Sequence, residues 1–588
     1  MTAAGYRAGG SITMRWAALC VVATVLALAG FANAKVVEHD FEVAYVDAAP
    51  DCYAKTVIGI NGVYPGPTIR AVQGDILKIT FHNYIATEGI TMHWHGIRQV
   101  GSAWADGTAA VAQCPILYGE SFTYEFIVDR PGTYFYHGHF GSQRAAGFYG
   151  ALIVDLPAGK HEPYHYDGEH MIIVNDWWHR PIVTQEQGLE AIPFKFVGDP
   201  QSLLLEGRGR YNCSAVPTYT PAAISCNQTD ERCAPHVMKV ERGKTYRLRL
   251  ASVASLSSLN FKIEGHKMKV VEADGHNVQP FWTDNLDLYS GETYSVLVSA
   301  NMPGDNYHLG LNVRGREDHN VPTGLGILNY NNAPVRQPST PAPKGPAWDD
   351  FEASKRQARK YKALKHNPDP TSHALDRHAK VTRTLILLTT QQKLKGHIKW
   401  AINNVTYAPL PTPVLAGLVY NISGSYDTAP PPDKMPADYN IYAPPPVTET
   451  NKGSGVYQFK TGDVVDVIIQ NCGNLQNISE NHPWHLHGHD FWILGYGDGK
   501  YDPKTSPKTF NLKNPPMRNN VPTFPFAWTA IRFKLDNPGA WPFHCHIEWH
   551  VHLGMGVVFA HGIEEVRAKG IPNSVLGCGL TKQLFKLR

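Results

Sequence analysis

PGTYFYHGH, from Pro131 to His139, returns late in the chain as PGAWPFHCH, from Pro538 to His546. Both stretches run from a Pro-Gly turn through aromatic residues to a closing pair of histidines, in one register. A third version, PGDNYHLGL from Pro303, keeps the Pro-Gly and lacks the pair. Each version follows a related double run: IRAVQGDILKITFHN from Ile69, MKVERGKTYRLRLAS from Met238 and YQFKTGDVVDVIIQN from Tyr457. Each run reads as a short strand, a turn with Gly and a second alternating strand. Helical periodicity is scarce elsewhere, so the sequence predicts an all-β chain built from one Greek-key sandwich unit used three times. A length of 588 residues leaves room for that. Composition shifts set the expected limits at 35–160, 161–335 and 381–588, with a Pro-, Lys- and Arg-rich connection over 336–380. The Pro-rich stretch Ala429 to Pro446 reads as a surface loop.

The net charge of +3, from 54 basic and 51 acidic side chains, supplies no broad basic footprint and excludes a nucleic-acid partner. Arg15, the apolar run Trp16 to Gly30 and the small residues Ala32-Asn33-Ala34 read as a signal peptide over 1–34, with the mature chain starting at Lys35. That run is too short to span a bilayer, so secretion is expected rather than a membrane anchor. Five Asn-x-Ser/Thr sequons, at Asn212, Asn227, Asn404, Asn421 and Asn477, fit glycosylation in a secretory lumen. Of the nine cysteines, Cys20 leaves with the leader and Cys545 lies between two histidines, where a thiolate suits a metal better than a disulfide. The other seven allow three bridges and one free thiol in many pairings, with Cys472 the candidate for the free one.

Twelve of the 28 histidines fall in four short windows. They are His93-Trp94-His95, His137-Gly138-His139, HPWHLHGHD from His482 and HCHIEWHVHLGM from His544. Residues i and i+2 of a strand face the same side, so each His-x-His presents two imidazoles to one place. Two pairs belong to the first unit and two to the third, which puts the expected meeting point at the interface between them. Imidazoles alone do not name a metal. Cys545 with His482, His550 and Met555 does, because one thiolate, two imidazoles and a weak thioether are the ligand set of a type 1 copper. His544 and His546 flank Cys545, so a few covalent bonds lead from that site to the eight-histidine cluster.

These motifs resemble the multicopper oxidases over nearly the whole mature chain. Within that family the likeness is nearest to plant-type L-ascorbate oxidases, through HWHGI, YHGH followed by QRAAGFYG, NDWWH, FVGDPQSLLLEGRGRYNCS, VVEADGHNVQPF, PAWDDF, KWAINNVTY, HPWHLHGHDFWILGYGDGKY and NLKNPPMRN. The resemblance implies three consecutive cupredoxin-like domains and four coppers per chain. Type 1 copper would be held by His482, Cys545, His550 and Met555, and type 2 by His93 and His485. One type 3 copper would take His95, His137 and His546, and the other His139, His487 and His544. Asp106 and Glu548 would be carboxylates that hydrogen-bond near the cluster and relay protons. His489 and His552 fall outside the pattern and are read as supporting residues. The implied disulfides are Cys52–Cys233, Cys114–Cys578 and Cys213–Cys226, which leaves Cys472 free.

By the same resemblance, one-electron oxidation of a small reductant at the type 1 site drives reduction of dioxygen to water at the cluster. The reductant pocket would lie beside an exposed His550, walled by Trp400 and by Phe196, which stands where relatives carry an indole. Trp549 replaces a residue that is usually proline. Three readings follow: an oxidase of ascorbate, giving monodehydroascorbate; a laccase-like oxidase of phenols; and a copper-free cupredoxin-like wall protein, against which the complete ligand set speaks. The resemblance also implies a homodimer and an extracellular or cell-wall location.

Overall fold

The computed structural model describes residues 34–215, 226–317, 321–367, 374–436, 438–445 and 447–586. The leader expected before Lys35 lies, except for Ala34, outside the described residues. Among the described residues no helix is long and apolar enough to cross a membrane.

The three double runs each fold as two strands about a glycine turn: Ile69–Val72 with Ile76–Asn83, Val237–Val240 with Thr245–Ser252, and Val456–Gln458 with Val464–Asn471. Gly74, Gly243 and Gly462 hold the turns at φ 97°, 90° and 89°, a left-handed conformation that costs a residue with a Cβ. The two strands of each pair enter different sheets, and this division builds the sandwiches.

In the first unit, Ile69–Val72 runs parallel to Tyr149–Asp155, which pairs antiparallel with Gly132–Gly138, which pairs with Met92–His95. The opposing sheet orders Lys55–Ile60, Val36–Ala48, Ile76–Asn83 and Ser121–Ile127. The third unit repeats the order. Val456–Gln458 lies parallel to Gly556–His561, then Gly539–Cys545, then His482–Leu486. In the middle unit Val237–Val240 lies parallel to Gly324–Tyr330, followed by Asn306–Arg314 and Ser258–Ile263. Six sheets thus form three cupredoxin-like sandwiches.

Each sandwich is filled by the apolar face of its alternating strands, as in Ile76–Asn83, where every second residue from Leu77 is buried. The cores run into one another. Val414, Leu415, Trp541 and Val575 join the first unit's core, while Ala145, Trp178, Leu189 and Leu256 join the third's. Burial of that apolar surface holds the first and third units together, and the histidine strands lie along the join.

Candidate metal centres

Strand register brings the histidines together. His93 is opposite His137 in the first unit and His485 opposite His544 in the third. Across the join, His93 stacks on His487 with ring centroids 3.9 Å apart and His95 on His485 at 3.8 Å. His139, His487 and His544 form one triplet whose ligand atoms lie within 4.8 Å of one another; His93, His95 and His137 form a second, and His93, His485 and His487 a third. His546 joins the cluster by ring contact, 4.6 Å from His95 and 5.3 Å from His137.

Hydrogen bonds fix which ring nitrogen faces inward. His93 Nδ1 donates to the Asp106 carbonyl at 2.8 Å, His137 Nδ1 to Gly138 O at 2.9 Å, His485 Nδ1 to Asn519 O at 2.9 Å and His544 Nδ1 to Cys545 O at 2.9 Å. His487 Nδ1 donates to Asp106 Oδ2 at 2.9 Å. With the proton held on Nδ1, the lone pair sits on Nε2. The Nε2 atoms of His93, His95, His137 and His485 are buried without a hydrogen-bonding partner. Unpaired acceptors converging in a dry space are costly unless a cation joins them, so the donor set fits a metal. Burial, reinforced by the neighbouring imidazoles, pushes His95, His485 and His487 well below the ordinary histidine pKa; His544 falls to about 4. Neutral imidazoles are the form that ligates.

Asp106 reaches both units because Gly107, at φ 79°, turns the chain against the His93 strand. A Cβ there would lie 1.7 Å from Met92 O. Thr108 Oγ1 also donates to Asp106 Oδ2, at 3.0 Å. Glu548 touches no histidine of the cluster directly. Its carboxylate accepts from the main-chain N–H groups of Arg144 and Ala145, both at 3.0 Å, and from Arg144 Nε at 3.2 Å.

The second site forms where the strand Gly539–Cys545 ends. The short helix Glu548–His552 turns the chain so that Cys545 Sγ lies 3.7 Å from His550 Nδ1. Met555 is held next to Cys545 by the main chain, its carbonyl accepting from Cys545 N at 3.1 Å and its N–H donating to His550 O at 2.9 Å. His482 and His550 have ring centroids 5.0 Å apart, and His482 Nδ1 is buried without a partner. Burial lowers His482 to about 3 and raises the Cys545 thiol. A thiolate in so apolar a place requires a cation.

His550 is only 6% exposed, so it is a buried residue rather than the exposed histidine expected from the sequence, because neighbouring side chains such as Trp400 close over it. Trp400 lies 4.8 Å from it by ring centroids but is itself only 6% exposed, packed into the core rather than walling an open pocket as expected, whereas Phe196 is 43% exposed. Trp549 turns inward, 1% exposed and edge-on to Trp178 at 6.0 Å, away from any reductant. His489 and His552 also stand apart: His489 Nε2 lies 3.2 Å from His561 Nε2, and His552 Nε2 lies 3.3 Å from Glu190.

Three further side chains at these sites carry no signal in the sequence. Arg316 sits 5.1 Å over the Phe196 ring, and its charge helps to depress the His550 pKa after burial and His482. Among the described residues its Nε and Nη1 are buried without a hydrogen-bonding partner, with Asp199 at 4.0 Å and Glu480 at 3.7 Å. Arg144 and Ser290 both hold His546. A cavity of about 760 Å³, lined largely by apolar residues such as Val551, Val557 and Leu410, opens onto His139 and His544.

Multicopper oxidase family profiles match residues 42–159, 168–333 and 428–565. The L-ascorbate oxidase of Cucurbita pepo var. melopepo is 50% identical over 547 residues, 92% of this chain and 97% of that protein. The chain belongs to the multicopper oxidase family. Copper, a small-molecule reductant and dioxygen follow from that membership, with the L-ascorbate oxidases as its near relatives. Laccase-2 of Oryza sativa subsp. japonica is more distant, 32% identical over 554 residues, 92% of this chain and 94% of that protein. Among solved structures, the laccase from Botrytis aclada superposes with a TM-score of 0.74 at 27% identity, covering 92% of this chain and 90% of that one.

The disulfides are Cys52–Cys233, Cys114–Cys578 and Cys213–Cys226; Cys472 is free and buried. Asn212, Asn227, Asn421 and Asn477 are exposed, whereas Asn404 is half-buried and accepts from Gln392 Nε2 at 2.8 Å.

Proposed function

We propose that this oxidase takes electrons singly from L-ascorbate by way of His550, yielding monodehydroascorbate, and delivers them to dioxygen at the histidine cluster. The observation that carries the reading is Arg316. Ascorbate is a monoanion at neutral pH, and a guanidinium whose carboxylate neighbours Asp199 and Glu480 stand 4.0 and 3.7 Å away, beyond hydrogen-bonding distance, lends positive charge to the approach to His550. Trp400, packed against both His482 and His550, lines the route by which an electron would enter. The 50% identity to an L-ascorbate oxidase, against 32% to a laccase, supports the same choice. One feature favours a laccase-like reading instead: exposed Phe196 lacks the indole N–H donor.

Four coppers per chain, one type 1, one type 2 and two type 3, would supply stepwise electron transfer and reduction of dioxygen to water. His482, Cys545, His550 and Met555 would hold the first; His93 and His485 the second; and His95, His137, His546 with His139, His487, His544 the pair. Asp106 fixes His487 through its carboxylate and His93 through its carbonyl, and with Glu548 it keeps a buried carboxyl beside the cluster for proton transfer. The apolar cavity gives dioxygen a path to His139 and His544. The matched intervals support sandwich limits near 35–160 and 161–335, and the strand Arg383–Leu394, paired with Val464–Asn471, supports a third unit over 381–588 after a connection over 336–380. The bridges and the exposed sequons support secretion and glycosylation.

The test is oxygen uptake by the purified protein. Ascorbate is expected to be used with a far higher kcat/KM than a simple diphenol, and equal or inverted preference overturns the substrate assignment.

A further inference from the structure

The two histidines beside Cys545 are held in different ways. His544 is fixed within its own strand, by its Nδ1–H to Cys545 O. His546 lies just past the strand and has no such internal partner. Its carbonyl accepts from Arg144 Nη2 at 2.7 Å, and Ser290 Oγ, whose single proton is shared with the Ala254 carbonyl, lies 3.0 Å from the same oxygen and 2.8 Å from His546 Nδ1. Arg144 Nη1 sits 2.5 Å from His546 Nδ1 and 3.0 Å from Nε2, while Nε is bound to Glu548. Arg144 comes from the first sandwich and Ser290 from the second, so the orientation of this third-unit histidine depends on all three. The Arg144 and Glu548 side chains are 3% and 5% exposed. Through Nη2 on the His546 carbonyl and Nε on Glu548, one planar buried group holds the main chain that carries the ring.

We infer that Arg144 is a positioning residue that orients His546, and with it one of the two branches by which an electron leaves Cys545. Ser290 braces the same ring from the opposite unit. The inference rests on the reading of His546 as a copper ligand.

The experiment is made on the copper-loaded enzyme. R144Q retains the blue absorption of the thiolate site, since neither Cys545 nor His482, His550 or Met555 is touched. After anaerobic reduction, return of the blue band on admitting dioxygen slows roughly 10- to 100-fold, the loss typical when a side chain that orients a metal ligand is removed. The near-ultraviolet band of the coupled copper pair changes with it. R144K, which restores the charge without the planar fork, recovers part of the rate. Wild-type recovery of the blue band together with an unchanged near-ultraviolet band in R144Q overturns the inference, even if thermal stability falls, because the pair is then merely structural. Should R144Q fail to fold, S290A decides: slower recovery with an altered near-ultraviolet band supports the role, and no change in either overturns it. A wild-type protein without any blue band sinks instead the copper reading beneath the inference.

Discussion

Replacing Arg316 by Gln isolates the charge beside the electron-accepting histidine. The Arg316 side chain is 14% exposed, so its attraction for a bound anion is weakly screened, and its ion-pair partners Asp199 and Glu480 stand 4.0 and 3.7 Å from Nε and Nη1, beyond hydrogen-bonding distance. A hydrogen bond between charged partners contributes about 1.5–3 kcal/mol, which corresponds to roughly 10- to 100-fold in kcat/KM. The variant also leaves Asp199 and Glu480 facing the incoming anion without a counter-charge, which moves the loss toward the upper end. A neutral donor such as hydroquinone meets neither effect and is expected to change less than about threefold. Steady-state oxygen uptake with both donors, at low and moderate salt, reads the difference. For ascorbate the wild type should weaken as salt rises, and the variant should lose that dependence. Equal losses for the two donors, or an unchanged ascorbate kcat/KM, refute the reasoning, because Arg316 then acts on the site as a whole or not at all.

Other substitutions test the cluster and its surroundings. D106A removes the acceptor for His487 Nδ1 while leaving the main-chain acceptor for His93, so turnover should fall about 10- to 100-fold with the blue absorption intact; stopped-flow and absorption spectra check both. C545S should abolish the blue colour and the oxidase activity together, and a variant that stays blue contradicts the thiolate assignment. Glu292, fully buried against Arg518, has its carboxyl raised by burial from 4.5 to about 7. The native state therefore keeps this proton where the unfolded chain has lost it. Its stabilising effect is complete below pH 4.5 and is lost as pH rises to about 7, a change of roughly 3 kcal/mol. Thermal midpoints of the wild type and E292Q over that range should diverge accordingly, and parallel curves reject the linkage.

Much of this was legible in the sequence because copper sites and sandwich strands announce themselves locally. His-x-His in a strand, Cys545 between two histidines and a Pro-Gly turn before each pair depend only on neighbours in the chain, and histidine and cysteine are rare enough for their clustering to stand out. The supporting residues are of another kind. Arg144, Ser290 and Arg316 meet their targets only after three sandwiches pack, and arginine and serine are too common for one position to signal anything. Trp549 illustrates the limit at close range. Next to His550 in sequence, it lies about 100° round the helix Glu548–His552 and so packs on Trp178 instead of facing a reductant. His550 itself needed the surrounding Trp400, Phe196 and Arg316 to show how little of it is exposed.

The central claim is that single electrons entering beside His550 are pooled at a histidine cluster that releases only water. The direct measurement is the electron balance: dioxygen consumed per ascorbate oxidised, with hydrogen peroxide assayed in the same vessel. Four electrons per dioxygen with no peroxide is the predicted result. Two electrons per dioxygen with accumulating peroxide would contradict it.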